Sequence, residues 1–256
     1  VILVILGMPK LNLSKLRRQN RSDMNAYIRF GTNIFLEALR AQAVENPDPQ
    51  IMVKAYQRFY ERVFVDSATK EYNRIRSFEP AQKSFVPSSF FLSTWKAWIR
   101  SWVIDNLGGM ITKVNDNTLA QIRTVLGDAI ENGMNPGQTQ KLLIDLIGSK
   151  KRALAIATTE STRANNVGKE RSANDWERES GTTLYKIWMH SGAREPRPEH
   201  IAIQNKPIPK NSLFDLGGGM DKPGDLNGGA SQTINCRCSV VYISERYARR
   251  NYPESF

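Results

Sequence analysis

Gly181 divides the chain into two textures, and that division constrains the fold more than any other feature. Before it, apolar residues recur at spacings of three and four, with Ser, Thr, Asn and Pro at helix starts and Gly at helix ends. After it, "TTLYKIWM" reads as a strand. Pro196, Pro198, Pro207, Pro209 and Pro223, with the "GGG" and "NGG" runs, mark loops, and "TINCRCSVVYI" reads as a closing strand. This order predicts an α+β chain: mainly helical N-terminal and middle regions, then a small loop-rich, β-containing C-terminal domain. The boundaries fall at 1–110, a basic helical region; 111–181, a helical hairpin plus a long helix; and 182–256, the loop-rich part.

Within the helical part, residues 11–46 place Ala26, Phe30, Ile34, Leu36, Ala38 and Val44 near one stripe, and "NPDP" then breaks the helix. Residues 51–77 form a second helical stretch, with Tyr56, Phe59, Tyr60 and Val63 among Arg58, Arg62, Lys70, Arg74 and Arg76. Two readings fit: aromatics in a core with arginines in water, or aromatics stacking on bases beside phosphates. "STWKAWIRSWVIDNLGG" predicts a short helix capped by Ser93 or Thr94 and closed at Gly108–Gly109, its Trp95, Trp98 and Trp102 packing on one stripe.

Two capping boxes follow. Thr118 with Gln121 starts a helix whose face is Leu119, Ile122, Val125, Leu126, Ala129 and Ile130, stopped at Asn132–Gly133. Asn135 with Gln138, and Pro136 at the first helical position, starts another with Leu142, Leu143, Leu146 and Ile147 before Gly148. The long helix, Lys150 to Ser180, carries Ala153, Ile156, Ala157, Glu160, Ala164 and Val167 on its inner face. A carboxylate on that stripe needs a partner to offset desolvation, and Arg163, Arg194, Arg197 and His200 are candidates. Alternatively Glu160 sits at an edge and reaches water.

Charge and cysteine usage narrow the class. Lys and Arg number 36 against 25 Asp and Glu, net +11. Residues 1–110 hold 16 basic and 9 acidic groups, net +7; 111–186 hold 11 and 9; 187–256 hold 9 and 7. Such an excess fits an anionic partner, nucleic acid being the commonest, or a solvated basic face. Two cysteines exclude a disulfide scaffold and fit a reducing compartment. No window approaches the roughly 18 apolar residues of a membrane span, and "VILVIL" is too short and lacks the cationic leader of a signal peptide.

All the chain's histidines and cysteines, His190, His200, Cys236 and Cys238, fall within 49 residues. Two imidazoles and two thiolates satisfy tetrahedral zinc, and such an ion would tie down a region short of apolar side chains. The alternative is a metal-free hydrogen-bonded cluster with no cofactor, in which His200 meets Glu160 or a carbonyl, Arg197 braces a loop carbonyl and the thiols pack. Alternation along a regular strand would put Ile234, Cys236, Cys238, Val240 and Tyr242 on one side. Asp225 in "KPGD" reads as a turn residue.

Over residues 111–245 the sequence resembles the Mu F-like phage head morphogenesis proteins, also called minor head or minor capsid proteins. The likeness rests on ordered motifs: Trp188, Arg194, "RPEH" with Arg197 and His200, Phe214, "PGD" ending at Asp225, and "NCRC" with Asn235, Cys236 and Cys238. "RALAIATTESTRANNVG" resembles the family's acidic helix, with Glu160 at the acidic position. One departure is that members commonly carry an aspartate in the turn before the arginine, where "HSGAR" has none. The resemblance implies a structural rather than enzymatic protein: a low-copy virion component inside the capsid near the portal, made in the host cytoplasm. Its partners would be portal protein, inner capsid surface and packaged double-stranded DNA, with no membrane, and it would leave with the genome. Arg17, Arg18, Arg21, Arg74 and Arg76 are the candidates for sequence-independent phosphate contact. The rival reading is a metal-assisted nuclease or hydrolase in which Glu160, Arg197, His200 and the cysteines line an open cleft.

Overall fold

The computed structural model describes residues 11–44, 49–78, 86–190, 195–216 and 218–256. Long helices come first: α1 (Leu13–Val44), α2 (Pro49–Phe78), α3 (Leu92–Glu131), α4 (Pro136–Ile147) and α5 (Lys150–Ser180). The chain continues through β1 (Leu184–Met189), α6 (Pro198–Ala202), β2 (Pro207–Pro209), α7 (Ala230–Thr233), β3 (Ser239–Ser244) and α8 (Glu245–Asn251). The fold is α+β, with the change of class at Gly181, which closes α5 in the left-handed region at φ 66°.

α5 packs along both α1 and α2, and α3 leans on α2. Tyr56, Phe59, Tyr60 and Val63 of α2 are wholly buried there with Phe35, Phe64, Trp95 and Trp176. The aromatic residues of α2 are therefore core, not a stacking surface for bases; burial of each contributes roughly 1.5–3 kcal/mol. Trp95 is fully buried and Trp98 and Trp102 pack against the same cluster, as expected of a packing stripe. Gly168 permits the close approach of α5 to α2: a Cβ there would lie 2.6 Å from the Phe64 carbonyl oxygen.

Several local expectations are corrected. On α1 the buried stripe is Met24, Tyr27, Ile28, Ile34, Phe35, Ala38 and Leu39, while Ala26 faces solvent and Phe30 and Leu36 lie at the margin. The inward face is thus turned from the one predicted, because α1 packs against α2, α4 and α5 and buries a wider arc. The break at Gly108–Gly109 does not occur: α3 runs unbroken to Glu131, so Thr118 lies inside a helix instead of capping one. Two interior glycines cost about 1 kcal/mol each, too little to end a helix of 40 residues. Its start is Leu92 after a turn at Ser88–Phe91, without a side-chain cap from Ser93 or Thr94. By contrast the Asn135–Gln138 box has both of its reciprocal bonds.

The sheet is antiparallel, in the order β2–β1–β3, with Lys186 opposite Tyr242 and Trp188 opposite Val240. Alternate residues of β3 enter different clusters. Val240 and Tyr242 join the helical core, while Val241 and Ile243 meet Leu11, Ile187, Met189, Tyr247 and Ala248 on the other face. A third cluster, Trp188, Phe214, Leu216, Met220, Cys236 and Cys238, lies under the loops. The largest cluster draws on residues from Tyr27 to Tyr242 and so on all three sequence segments.

Candidate functional site

β3 is an edge strand, and an exposed edge leaves a row of unpaired backbone groups. Here polar side chains from two helices cover it. Asn166 accepts from the Val240 N–H at 2.8 Å, and Lys169 donates to the Val240 carbonyl at 3.2 Å. Glu71 accepts from the Tyr242 N–H at 3.0 Å, and Arg74 donates to the Tyr242 carbonyl. Arg74, proposed above as a phosphate contact, is committed to this edge and to its ion pair with Glu71 at 2.7 Å.

The same face of α5 reaches back along the cysteine segment. Thr159 accepts from the Asn235 N–H at 3.1 Å, Thr162 donates to the Cys236 carbonyl, and Asn166 donates to the carbonyls of Cys238 and Pro223, both at 3.1 Å. Arg163 donates to the Gly224 carbonyl at 3.0 Å. Gly224 takes φ 80° and lies so close to α5 that a Cβ would be 2.9 Å from the Arg163 Cα. Asp225 organises this turn, accepting from the N–H of Asp221 at 2.8 Å and of Asn227 at 3.0 Å.

Because these side chains claim the backbone of residues 235–240, the predicted strand starts late. Ala230–Thr233 is a helical turn, Asn235 adopts φ 56°, and pairing begins only at Ser239. Asn tolerates that left-handed conformation better than most residues, which accounts for the first letter of "NCRC". The two thiols do converge, through a turn and not through strand alternation. The Cys238 N–H approaches the Cys236 sulfur at 3.4 Å.

His200 reaches them from α6, where Arg197 is the N-cap and Pro198 opens the helix. Its Nδ1 lies 3.8 Å from Cys236 Sγ and 3.5 Å from Cys238 Sγ, and its Nε2 lies 2.9 Å from Gln232 Oε1. All three residues are buried, and the Trp188 ring meets the imidazole edge-on, centroids 4.9 Å apart. Arg197 braces the loop by donating to the carbonyls of Ser231 at 2.5 Å and Ile234 at 2.7 Å. The Cys236 thiol is held well below the usual thiol range, first by its hydrogen bond with Cys238 and then by His200, against the effect of burial.

Glu160 is buried, and its partner is Arg163, whose Nη1 lies 2.6 Å from both carboxylate oxygens; the Tyr60 hydroxyl also donates to it. It therefore turns toward α2, whereas His200 turns toward the cysteines. The two do not share an open cleft, so the metal-assisted hydrolase arrangement is not assembled. His190 is buried but stands outside the three-donor cluster of His200, Cys236 and Cys238. Arg194 lies outside the described residues.

Of the other cations proposed for DNA, Arg18, Arg21 and Arg76 are exposed. Arg17 is half-buried, its Nη2 3.4 Å from Gln204 Oε1. Sequence reasoning missed Thr159, Thr162, Asn166 and Lys169. Their spacing of three, four and three was the available signal: a polar stripe at helical period beside an apolar one. Burial pushes the Lys169 ammonium down to about 8, with Glu71 opposing.

Comparison with known proteins bears on this segment. Residues 120–241 match the family model described as phage Mu protein F like protein. A 95-residue stretch, 37% of this chain, is 28% identical to the NAD(+)–arginine ADP-ribosyltransferase EFV of Enterococcus faecalis and covers 19% of that protein. The chain thus spans about a fifth of the length of the curated relative it matches. No solved structure matches. The match takes in α5, the "RPEH" helix, the "PGD" turn and the cysteine turn. Over residues 120–241, somewhat under half of its length, the chain is similar to the phage Mu protein F like family.

Proposed function

We propose that the protein is a minor head component of a tailed phage, held in few copies inside the capsid near the portal. In this reading it contacts portal protein, inner capsid surface and packaged double-stranded DNA, and leaves the particle with the genome. The observation that carries the reading is the family match over residues 120–241. The surface of that segment supports a protein partner. Leu126, Ile130, Leu142, Ile144 and Leu154 are large apolar side chains left exposed on α3, α4 and the start of α5, with Ile130 81% open to solvent. Exposed Arg18, Arg21 and Arg76 support phosphate contact without sequence preference. Among the described residues no helix is long and apolar enough to cross a membrane.

The test is imaging of intact particles without imposed symmetry, with density for this chain expected at the portal vertex. Purified particles that lack the chain would overturn the assignment. The DNA contact is checked separately: binding to duplex DNA at low salt is expected, weakening steeply as salt rises and weakened further by replacing Arg18 and Arg21 with Glu. Replacing Ile130 and Leu142 with Lys is expected to release the protein from portal while leaving its own unfolding midpoint within about 0.5 kcal/mol, since both side chains are exposed.

A further inference from the structure

We propose that His200, Cys236 and Cys238 bind one thiophilic divalent cation, zinc foremost. Their donor atoms lie within 4.8 Å of one another. A tetrahedral ion with sulfur at about 2.3 Å and nitrogen at about 2.05 Å sets each N···S edge near 3.6 Å. The observed Nδ1···Sγ separations are 3.5 and 3.8 Å, close to the two N···S edges such an ion requires.

The surroundings select the same chemistry. Gln232 Oε1 is an acceptor, so the facing Nε2 of His200 carries the proton and the Nδ1 lone pair points at the sulfurs. Trp188, Phe214, Leu216 and Met220 wall the cluster with apolar surface that keeps water from competing. Thr162, Asn166 and Arg197 hold the carbonyls of Cys236, Cys238 and Ile234, which fixes the turn that presents the thiols.

Binding joins both sulfurs to the ion as thiolates and releases any proton that a thiol still carries. It also cross-links α6 to the cysteine turn, 36 and 38 residues further along the chain. Three donors are supplied by the protein, which leaves the fourth corner to an exogenous ligand.

The full chain, made without an affinity tag that binds metal, is purified by gel filtration and its metal content measured by elemental analysis. About one zinc per chain is expected. Cobalt added to chelator-treated protein is expected to produce a thiolate-to-cobalt charge-transfer band. The band should be lost in the Cys236→Ser, Cys238→Ser double variant. A folded wild-type protein that carries no zinc and gives no thiolate band with cobalt overturns the proposal. So does undiminished metal in the double variant, because the ion would then sit elsewhere. Neither result depends on whether the protein is found at a portal.

Discussion

α2 and α5 lie side by side, yet they bury opposite chemistry. α2 turns Tyr56, Phe59, Tyr60, Val63 and Phe64 inward, and most of what they gain comes from leaving water, with little demand on direction. α5 turns Thr162, Arg163, Asn166 and Lys169 inward, and each must meet a particular backbone group or cost stability. The first face makes the protein compact. The second decides where the "PGD" turn, the cysteine turn and the edge of β3 are placed. The C-terminal motifs of this chain therefore depend on a helix whose polar inner face helps to carry the register for all of them.

The largest test of that contrast is Asn166→Leu, which keeps the branched shape and heavy-atom count and removes the amide. It orphans the carbonyls of Pro223 and Cys238 and the N–H of Val240 in a buried site. At about 1–3 kcal/mol per orphaned group, a loss of about 4 kcal/mol is expected in urea unfolding. A loss under about 1 kcal/mol would mean that the polar face is passive filling. Gly168→Ala comes next, at about 2 kcal/mol, because the new methyl meets the backbone of Phe64, which cannot rotate aside. Thermal unfolding checks it, and an unchanged midpoint would show that α2 and α5 have slack between them.

This contrast also explains what could be read from the sequence. Ser149, Asn135, Gln138 and Gly181 act locally, so the starts of α4 and α5 and the end of α5 follow from a few neighbouring letters. The orientation of α1 was not legible, since it depends on α5 lying across it some 120 residues later. Nor was the late start of β3: a β-rich string yields its backbone to Thr162 and Asn166, which are distant in sequence. At the site, the convergence of His200 with both thiols was legible from residue type and motif order. The partner of Glu160 was among those foreseen, Arg163, but the hydroxyl of Tyr60 was not. Nothing in the aromatic pattern of α2 marks one tyrosine as a donor to a helix a hundred residues on.

A smaller effect separates the two faces by pH. Glu170, on α5, lies against Asp221 and Lys222; burial and the hydrogen bond with Asp221 raise its carboxyl to about 7, with Lys222 opposing. The folded chain thus keeps a proton that the unfolded chain gives up near 4.5. That contribution is complete below about 4.5 and is lost as pH rises through about 7, so stability falls across this window. Asp221 is lowered and acts with the opposite sign, but below its ordinary value of 3.8, outside the window. Glu170→Gln imitates the protonated carboxyl. Its urea midpoint should match wild type at pH 5 and exceed it at pH 8. Comparing variant with wild type cancels other groups that titrate nearby, His190 included. A variant less stable than wild type at pH 8 would show that the ion pair with Lys222 outweighs the burial.

The smallest expected effect belongs to the apolar face, and the contrast requires it to be small. Met52 is 1% exposed within the aromatic cluster and makes no directional bond. Met52→Leu conserves volume, and the flexible neighbourhood of an unbranched side chain can close around the new shape, so a loss below about 1 kcal/mol is expected. Asn166→Leu keeps the heavy-atom count and branching, at a site just as buried. The ratio of the two losses, about fourfold or more, measures direction rather than size. Equal losses in paired denaturation curves would mean that α2 is held by jigsaw fit as strictly as α5 is held by hydrogen bonds, and that both faces carry register.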